Sequence, residues 1–241
     1  MSVQTEPKFH ATTITDRVMV TLSLAQKANM IASIQGPPGI GKTTAVLRYV
    51  AENPRRVWYY AARRDTAAKG PFFRDLAVRF AQFKDVQTRE NVTSLIKVAR
   101  ELGFGSEVVL MIIDEAQDLN SDTLETLRSI YDHGVLALAF VGNHTFADRH
   151  NTERMALTAS PQFRSRVGLV LDLGTVESED AATVARAYGI PEVLVPRVAT
   201  IAAGEKGLRV VENLHRLATA SAGGGPLTRA HWDAAITTLR L

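Results

Sequence analysis

Apolar runs about the length of a β-strand recur along most of the chain. They are nearly free of charged residues and lie at residues 30–34, 57–61, 108–113, 136–141 and 167–173. The run 108–113 is typical of a strand that is buried on both faces of a parallel sheet, and the other four have the length and apolar character of strands. The pattern therefore predicts five strands.

Segments with apolar residues at helical spacing separate these runs. A short leading helix is predicted over residues 14–28, and further helices over 43–50, 72–83, 92–102 and 120–131. Strands that alternate with helices form parallel sheets with right-handed crossovers. We therefore predict an α/β fold in which helices flank a parallel five-stranded sheet.

The pattern changes after Leu173, where no further run of strand type occurs. Four helical segments follow, at about 178–189, 191–203, 207–221 and 228–239. The 241 residues suffice for one α/β domain and a small appendage. We predict an α/β domain over residues 1–175 and a small all-helical lid domain over residues 176–241.

A glycine-framed motif follows the first predicted strand and precedes a predicted helix. It reads Gly-Pro-Pro-Gly-Ile-Gly-Lys-Thr-Thr and matches the phosphate loop of P-loop NTPases in full. Glycine lacks a Cβ, so the backbone N–H groups of such a loop can turn inward and cradle phosphates at the positive end of a helix. We predict that ATP and Mg²⁺ bind here, in contact with Gly36, Pro37, Pro38, Gly39, Ile40, Gly41, Lys42, Thr43 and Thr44.

Polar side chains at two strand tips complete the predicted site. Lys42 is expected to reach the β- and γ-phosphates, and the Thr43 hydroxyl to ligate Mg²⁺. Asp114 and Glu115 follow the run 108–113 directly, and ligands of open α/β sheets bind beyond the carboxyl ends of strands. We predict that Asp114 holds Mg²⁺ through its water shell and that Glu115 polarises the attacking water. Asn143, at the next strand tip, either orients that water or contacts the γ-phosphate, unless it is an ordinary turn residue.

Composition narrows the class of protein. Cysteine is absent, which excludes disulfides, thiolate metal sites and thiol nucleophiles. No apolar stretch approaches the ~20 residues that span a bilayer, and the first residues lack a secretory pattern, so we expect a cytoplasmic protein without a membrane partner. The net charge of +3 permits nucleic-acid binding without requiring it.

The order of these motifs resembles that of the AAA+ ATPases. The phosphate loop, the acidic strand tip, the Asn-tipped strand, a late arginine pair and the helical C-terminal part occur in the same succession. Within that superfamily the chain most resembles the transposition ATPases, the group that includes the phage Mu B protein and its TniB and TnsC relatives. The likeness rests on the leading helix and loop, on Asp-Glu-Ala-Gln-Asp-Leu at 114–119 and on Gln-Phe-Arg-Ser-Arg-Val at 162–167.

The resemblance implies roles for three arginines. Members act as oligomers in which a neighbour's arginine completes each nucleotide site and spreads the charge of the transition state. Arg166 matches that finger position, with Arg164 as the second candidate. Arg209 matches the sensor-2 arginine of the lid, which contacts the nucleotide. Each could instead be a solvated arginine beside a strand or in a helical turn.

The resemblance also implies a task. It predicts an ATP hydrolase, slow and stimulated by DNA, that binds duplex DNA without sequence preference, forms a homo-oligomer or helical filament on it, and delivers target DNA to a transposase that it activates. The DNA would be held through its phosphates. The best local candidates are Arg63, Arg64 and Lys69, although a solvated basic loop fits them equally well. The short segment before the phosphate loop leaves no room for the DNA-binding appendage of the Mu protein, so we expect DNA contacts from the core.

Two other functions stay open at this point. The same fold serves helicase loaders and replication initiators, and a transposase gene next to this one would discriminate against them. A binding switch that uses only the ATP state, with slow hydrolysis, is the third possibility.

Overall fold

The computed structural model describes residues 10–82, 85, 87–103, 108–143, 163, 165–204 and 206–241. These residues form two compact units. The sheet unit comprises Arg17–Gly36 and Thr43–Leu173, and the helical unit comprises the described residues up to Asp16 together with Pro37–Lys42 and Gly174–Leu241. Most of the phosphate loop thus clusters with the helical C-terminal part. The domain limits 1–175 and 176–241 stay a prediction.

A five-stranded sheet in which every pair is parallel forms the centre of the sheet unit, as predicted. Its strands, in chain order, are β1 (Ile31–Gln35), β2 (Val57–Ala61), β3 (Val109–Asp114), β4 (Leu136–Gly142) and β5 (Val167–Asp172). The spatial order is β2-β3-β4-β1-β5. Ala61 pairs with Asp114, and Gln35 pairs with Gly142 and Asp172, so the carboxyl ends of all five strands lie along one edge of the sheet.

The core of the sheet unit lies on both sides of the central strands. All residues of β3 and β4 are buried, as their unbroken apolar runs predict. Phe72 and Phe73 are fully buried and pack edge to face, with ring centroids 5.1 Å apart. Phe163 packs in the same way on Phe140 of β4, at 5.4 Å. This packing fixes the strand tips that carry the predicted polar residues.

Five helices accompany the described part of the sheet. They are α1 (Thr13–Lys27), α2 (Lys42–Glu52), α3 (Lys69–Ala81), α4 (Thr88–Leu102) and α5 (Ser121–Asp132). α5 begins where its sequence specifies, because the Asn120 Oδ1 accepts a hydrogen bond of 2.9 Å from the Thr123 amide. α1 begins differently from a simple cap, since Thr12 and Thr15 exchange hydrogen bonds between backbone amides and hydroxyls.

Four further helices follow β5, and no strand follows it in the described part of the chain. They are α6 (Ser178–Ala187), α7 (Val195–Ala203), α8 (Arg209–Ala222) and α9 (Arg229–Thr238). Aromatic side chains join them: Tyr188 lies edge-on to His215 at 5.2 Å, and the His215 ring lies 5.9 Å from Trp232. Among the described residues, no helix combines the length and the apolar character needed to cross a membrane.

Candidate functional site

The phosphate loop and the acidic strand tip meet within the sheet unit. Thr43, near the start of α2, donates a hydrogen bond of 2.7 Å from its Oγ1 to Asp114 Oδ2. These residues are 71 positions apart in the chain, and β1 and β3 are not neighbours in the sheet. The parallel strands therefore bring together the two motifs that the sequence predicts to form one site.

The Asp114 carboxylate is buried and held by several donors. Its side chain is only 2% exposed, and Oδ1 accepts a hydrogen bond of 2.9 Å from the Glu115 amide. Oδ2 accepts from the Tyr59 hydroxyl at 3.3 Å as well as from Thr43. Burial, followed by the negative charge of Asp114, raises the pKa of Tyr59, so this hydroxyl stays a donor. The acid is thereby fixed in one orientation.

Glu115 has a backbone conformation that is rare for a side chain of its kind. Its φ of 52° and ψ of 37° lie in the left-handed region, directly after β3 and before a one-turn 3₁₀ helix, Ala116–Asp118. The side chain is exposed, and one of its carboxylate oxygens accepts a hydrogen bond from Gln117 Nε2. Conformations of this kind cluster at active sites because they aim a side chain that regular structure would turn away.

The loop itself has the backbone that its glycines permit. Gly39 and Gly41 have φ values of 79° and 103°, which residues with a Cβ rarely adopt. Lys42 is 7% exposed, and its Nζ donates a hydrogen bond of 2.7 Å to the carbonyl of Pro37. The ammonium therefore lies across the loop, where a phosphate oxygen would compete with that carbonyl for its protons.

Within the helical unit, the turn before α8 packs on the loop. A Cβ built on Gly207 would lie 2.8 Å from the carbonyl oxygen of Gly39, closer than packed atoms allow. A Cβ on Gly39 would lie 3.3 Å from the Cβ of Arg209. Arg209 itself is exposed and is the first residue of α8. Backbone thus contacts backbone at this point, and Gly207 is the residue that permits it.

The remaining catalytic candidates lie near strand ends. Asn143 directly follows β4 and is half-buried. Arg166 directly precedes β5, is half-exposed, and forms an ion pair of 3.1 Å with Asp132 at the end of α5. Arg164, the second finger candidate, lies outside the described residues.

The basic cluster lies beyond β2, on the same edge of the sheet as Asp114. The Ala62 amide donates to the carbonyl of Asp114 at 2.8 Å, and Arg63, Arg64 and Lys69 follow, all exposed. Arg64 Nε lies 3.4 Å from Asp118 Oδ1, on the 3₁₀ helix that begins after Glu115. An ion pair thus connects the basic cluster to the 3₁₀ helix that follows Glu115.

The donor set fits a magnesium nucleotide. Thr43 Oγ1 and Asp114 Oδ2 are 2.7 Å apart, so an ion ligated by the hydroxyl would lie close enough for the carboxylate to bind one of its waters. One hydroxyl and one carboxylate suffice for Mg²⁺, which keeps most of its waters. No cluster of three or more His, Asp or Glu residues in the described part of the chain offers a different kind of metal site.

Three residues that contact predicted site residues were not themselves predicted from the sequence. Tyr59 lies in the middle of a strand, and nothing in the run Val-Trp-Tyr-Tyr-Ala distinguishes it from a core residue. Gln117 is visible in Asp-Glu-Ala-Gln-Asp, but its bond to Glu115 depends on the left-handed turn between them. Gly207 gave a signal only as the glycine that opens a helix.

The chain is similar in sequence to one family of domains and to proteins named for DNA transposition or target DNA activation. The model of the AAA domain family matches residues 25–149. The Mu-like prophage FluMu DNA transposition protein B of Haemophilus influenzae is 28% identical over 184 residues, which cover 76% of this chain and 62% of that protein. The ATP-dependent target DNA activator B of Escherichia phage Mu is 26% identical over 219 residues, covering 90% of this chain and 68% of that protein. The chain thus spans about three fifths of the Haemophilus relative.

Solved structures share the fold at lower identity. The ORC2 protein of Aeropyrum pernix superposes with a TM-score of 0.67 at 17% identity, over 98% of this chain and 70% of that one. Cdc6p from Pyrobaculum aerophilum gives a TM-score of 0.63 at 19% identity, over 92% of this chain and 65% of that one. At these identities the likeness establishes the fold alone.

Proposed function

The chain belongs to the AAA domain family, whose model matches more than half of it, and on this premise we propose an ATP-dependent ATPase that acts on target DNA in transposition. It binds duplex DNA without sequence preference, assembles on it as a helical filament, and presents it to a transposase that it activates. The protein relatives at 26–28% identity, named transposition protein B and target DNA activator B, support this task.

One observation carries the enzymatic part of the proposal. The hydrogen bond of 2.7 Å between Thr43 Oγ1 and Asp114 Oδ2 joins the predicted phosphate loop to the predicted acidic tip. Ligands of open α/β sheets bind at this edge, where the strand ends and the helix amino terminus converge. This pairing supports the binding and hydrolysis of ATP, and the transposition task rests on the names of the relatives.

The roles of the residues follow from their positions. Bound ATP with Mg²⁺ supplies a γ-phosphoryl group that is open to attack by water. The loop amides and Lys42 would hold the phosphates, while Thr43 and Asp114 would hold the metal ion. Glu115 accepts a proton from the water that it orients, and the half-buried amide of Asn143 adds a second polar group at the adjacent strand tip. Gln117 holds the Glu115 carboxylate until that water binds.

Arg166 acts on a neighbouring subunit. The Arg166 side chain is half-exposed in its ion pair with Asp132, and Asp132 also forms an ion pair of 2.6 Å with Arg128. Release of Arg166 therefore leaves Asp132 paired, which lowers the cost of moving the arginine to another molecule. A head-to-tail contact of this kind produces a filament when the rotation does not close.

Arg63, Arg64 and Lys69 contact the DNA backbone. They are exposed, and the ion pairs of Arg63 with Asp65 and of Arg64 with Asp118 are long, at 3.4 Å each. Exposed pairs of this geometry contribute little, so phosphates can replace the carboxylates. Loss of both arginines would lower the slope of log affinity against log salt by up to about two phosphate contacts.

A replication initiator or helicase loader is the alternative function. The structural likeness to the ORC2 protein and Cdc6p fits that reading, but at 17–19% identity it concerns the fold only. The relatives that are more similar in sequence are named for transposition. We therefore favour the transposition function.

Negative-stain electron microscopy with and without ATP and duplex DNA tests the proposal. We expect filaments only when both are present, long-lived filaments for Glu115→Gln, which binds ATP but hydrolyses it slowly, and none for Lys42→Ala. Lys42→Ala should also lose ATP binding in a fluorescent-nucleotide titration. A Glu115→Gln protein that stays monomeric with ATP and DNA would contradict the filament, and normal turnover by Lys42→Ala would contradict the site.

A further inference from the structure

A cavity lies in the sheet unit, at the end of the strands remote from Asp114. It has a volume of about 550 Å³, within the range of small-ligand sites. Its walls come from the end of α1, the end of α2 and the turn that leads into β2. Gln26, in its floor, donates to the carbonyls of Arg56 and Val108, the residues just before β2 and β3. Asp114 ends β3, so roughly 17–20 Å of strand separate the cavity from it.

The lining of this cavity has one sign of charge. Lys27, Arg55 and Arg56 contribute cations, and none of the described residues that line it is acidic. Lys27 and Arg55 are exposed, and neither has an ion-pair partner in the part of the chain that the structure describes. Cations that converge on a concave surface without carboxylates raise the local concentration of anions.

The walls that carry these cations are rigidly built. The Tyr49 hydroxyl donates a hydrogen bond of 2.9 Å to Gln26 Oε1, and both side chains are buried. Asn53 donates to the carbonyl of Tyr49 and accepts, through its own carbonyl, the amides of Arg56 and Val57 at 3.2 Å each. The turn that presents Arg55 and Arg56 is therefore fixed before any ligand binds, which reduces the entropy lost on binding.

We propose that this cavity is a second anion site, separate from the nucleotide site, and that it binds a phosphate group between Lys27 and Arg55. A guanidinium offers a fork of donors that matches phosphate, and an ammonium adds a point charge. The phosphate belongs either to a small phosphorylated ligand or to the backbone of bound DNA. The inference does not depend on the proposed ATPase activity.

Amide chemical shifts test the proposal with a resolution of single residues. Inorganic pyrophosphate is titrated into the full chain, and the amides of Lys27, Asn53 and Arg56 are followed separately from those of the phosphate loop. The two sets of signals report the two sites independently, so that failure of either site is seen on its own. We expect saturable shifts at both.

Two double variants provide the comparison. Lys27→Gln with Arg55→Gln should weaken pyrophosphate binding at the cavity by about tenfold or more, since two charge-assisted hydrogen bonds are lost. Arg89→Gln with Arg100→Gln removes the same charge from exposed positions of α4 and should leave that affinity within about twofold. All four side chains are exposed, so both proteins should keep the melting temperature of the parent.

A short DNA duplex in place of pyrophosphate identifies the source of the phosphate. Shifts at the cavity amides with DNA, lost in the Lys27 and Arg55 variant, would assign the site to backbone phosphate. Shifts with pyrophosphate alone would assign it to a small phosphorylated ligand. The proposal is overturned if neither probe moves the cavity amides, or if both double variants respond alike.

Discussion

Tyr59 contributes to the candidate site through a single hydrogen bond to the carboxylate that is predicted to hold the metal. The bond of 3.3 Å shares Asp114 Oδ2 with Thr43, so its loss should leave that oxygen less firmly placed. We expect Tyr59→Phe to raise the Mg²⁺ concentration for half-maximal ATP binding roughly two- to fivefold, the effect of one hydrogen bond. Nucleotide binding without Mg²⁺ should not change. A fluorescent ATP analogue titrated at several Mg²⁺ concentrations measures both.

Tyr60→Phe is the matched control, because the next tyrosine of β2 faces away from the site. Its hydroxyl bonds to Asp75 at 2.9 Å and to Thr66 at 3.1 Å. Its Mg²⁺ dependence should equal that of the parent protein. Equal shifts in the two variants would show that Tyr59 acts only through general stability.

Gly207 is required where the turn before α8 contacts the phosphate loop. An added methyl group would lie 2.8 Å from the Gly39 carbonyl, so the loop backbone has to move. Gly223→Ala is the control, since its φ of 58° is close to the 62° of Gly207 but nothing lies within 4 Å of the new Cβ. Both variants should lose about 1 kcal/mol from the left-handed backbone.

Only Gly207→Ala should lose more stability than that and also bind ATP more weakly. Chemical denaturation and a nucleotide titration measure the two quantities. If Gly223→Ala weakened ATP binding by the same factor, the loop contact would not be the cause.

Positions that a motif specifies could be predicted from the sequence, and contacts that arise from strand pairing could not. Thr43 and Asp114 could be placed at one site from sequence, because the motif and the strand tip each specify a position at the same sheet edge. Tyr59 could not, since its contact depends on β2 lying beside β3 in a register that pairs Tyr59 with Ile112. Arg164 remains a prediction.

At the scale of elements, the turn after β2 and the 3₁₀ helix after β3 form a connected pair. Arg64 bonds to Asp118, and the Asp118 amide donates to the Glu115 carbonyl at 2.9 Å. DNA phosphates that bind Arg64 would break its ion pair with Asp118 and so remove one contact that holds the 3₁₀ helix after Glu115. This is a physical connection between the proposed DNA contact and the proposed catalytic carboxylate.

Asp118→Asn should therefore separate DNA binding from DNA stimulation. We expect DNA affinity to stay within about twofold, because the basic residues are intact, while the increase in ATPase rate on adding DNA is largely lost. Asp65→Asn, which removes the partner of Arg63 in the same turn, should keep that increase. Stimulation that is unchanged in Asp118→Asn would exclude this connection.

Element boundaries followed the sequence where a cap specifies them and departed from it elsewhere. Asn120 and Thr228 cap α5 and α9 as their side chains allow. The segment predicted from residue 178 begins with serine, a common capping residue, but Ser178 is the first helical residue and Glu177 holds the cap position without a side-chain bond. The helix predicted from residue 191 begins at Val195, because residues 191–194 form turns that precede α7. Competing caps and turns of similar energy are decided by packing, which the sequence pattern does not show.

For the whole molecule, Arg166 allows a decisive test of assembly. Each single variant, Arg166→Ala or Glu115→Gln, should hydrolyse ATP slowly on its own. If the arginine acts as a finger, the ATPase rate of Arg166→Ala should be about 10³-fold or more below that of the parent protein. In a mixture, an intact site of one variant can meet the intact arginine of the other. We expect an equal mixture to recover up to roughly a quarter of parent activity, since about that share of interfaces would hold both.

No recovery on mixing would mean that Arg166 acts on its own subunit or supports folding. Arg166→Ala should retain ATP affinity, and a loss of affinity together with turnover would indicate that removing the ion pair with Asp132 has destabilised the fold. The melting temperature of the single variant distinguishes these two causes.

The left-handed backbone at Glu115 bears on how this chain would respond to selection for heat resistance. Glycine adopts that conformation without the cost of about 1 kcal/mol or more that a residue with a Cβ carries. A laboratory lineage chosen only for thermal tolerance should thus drift toward glycine at this position and discard its proposed catalyst. At this position a substitution that raises thermal stability would lower the ATPase rate, so variants selected for stability have to be assayed for turnover as well.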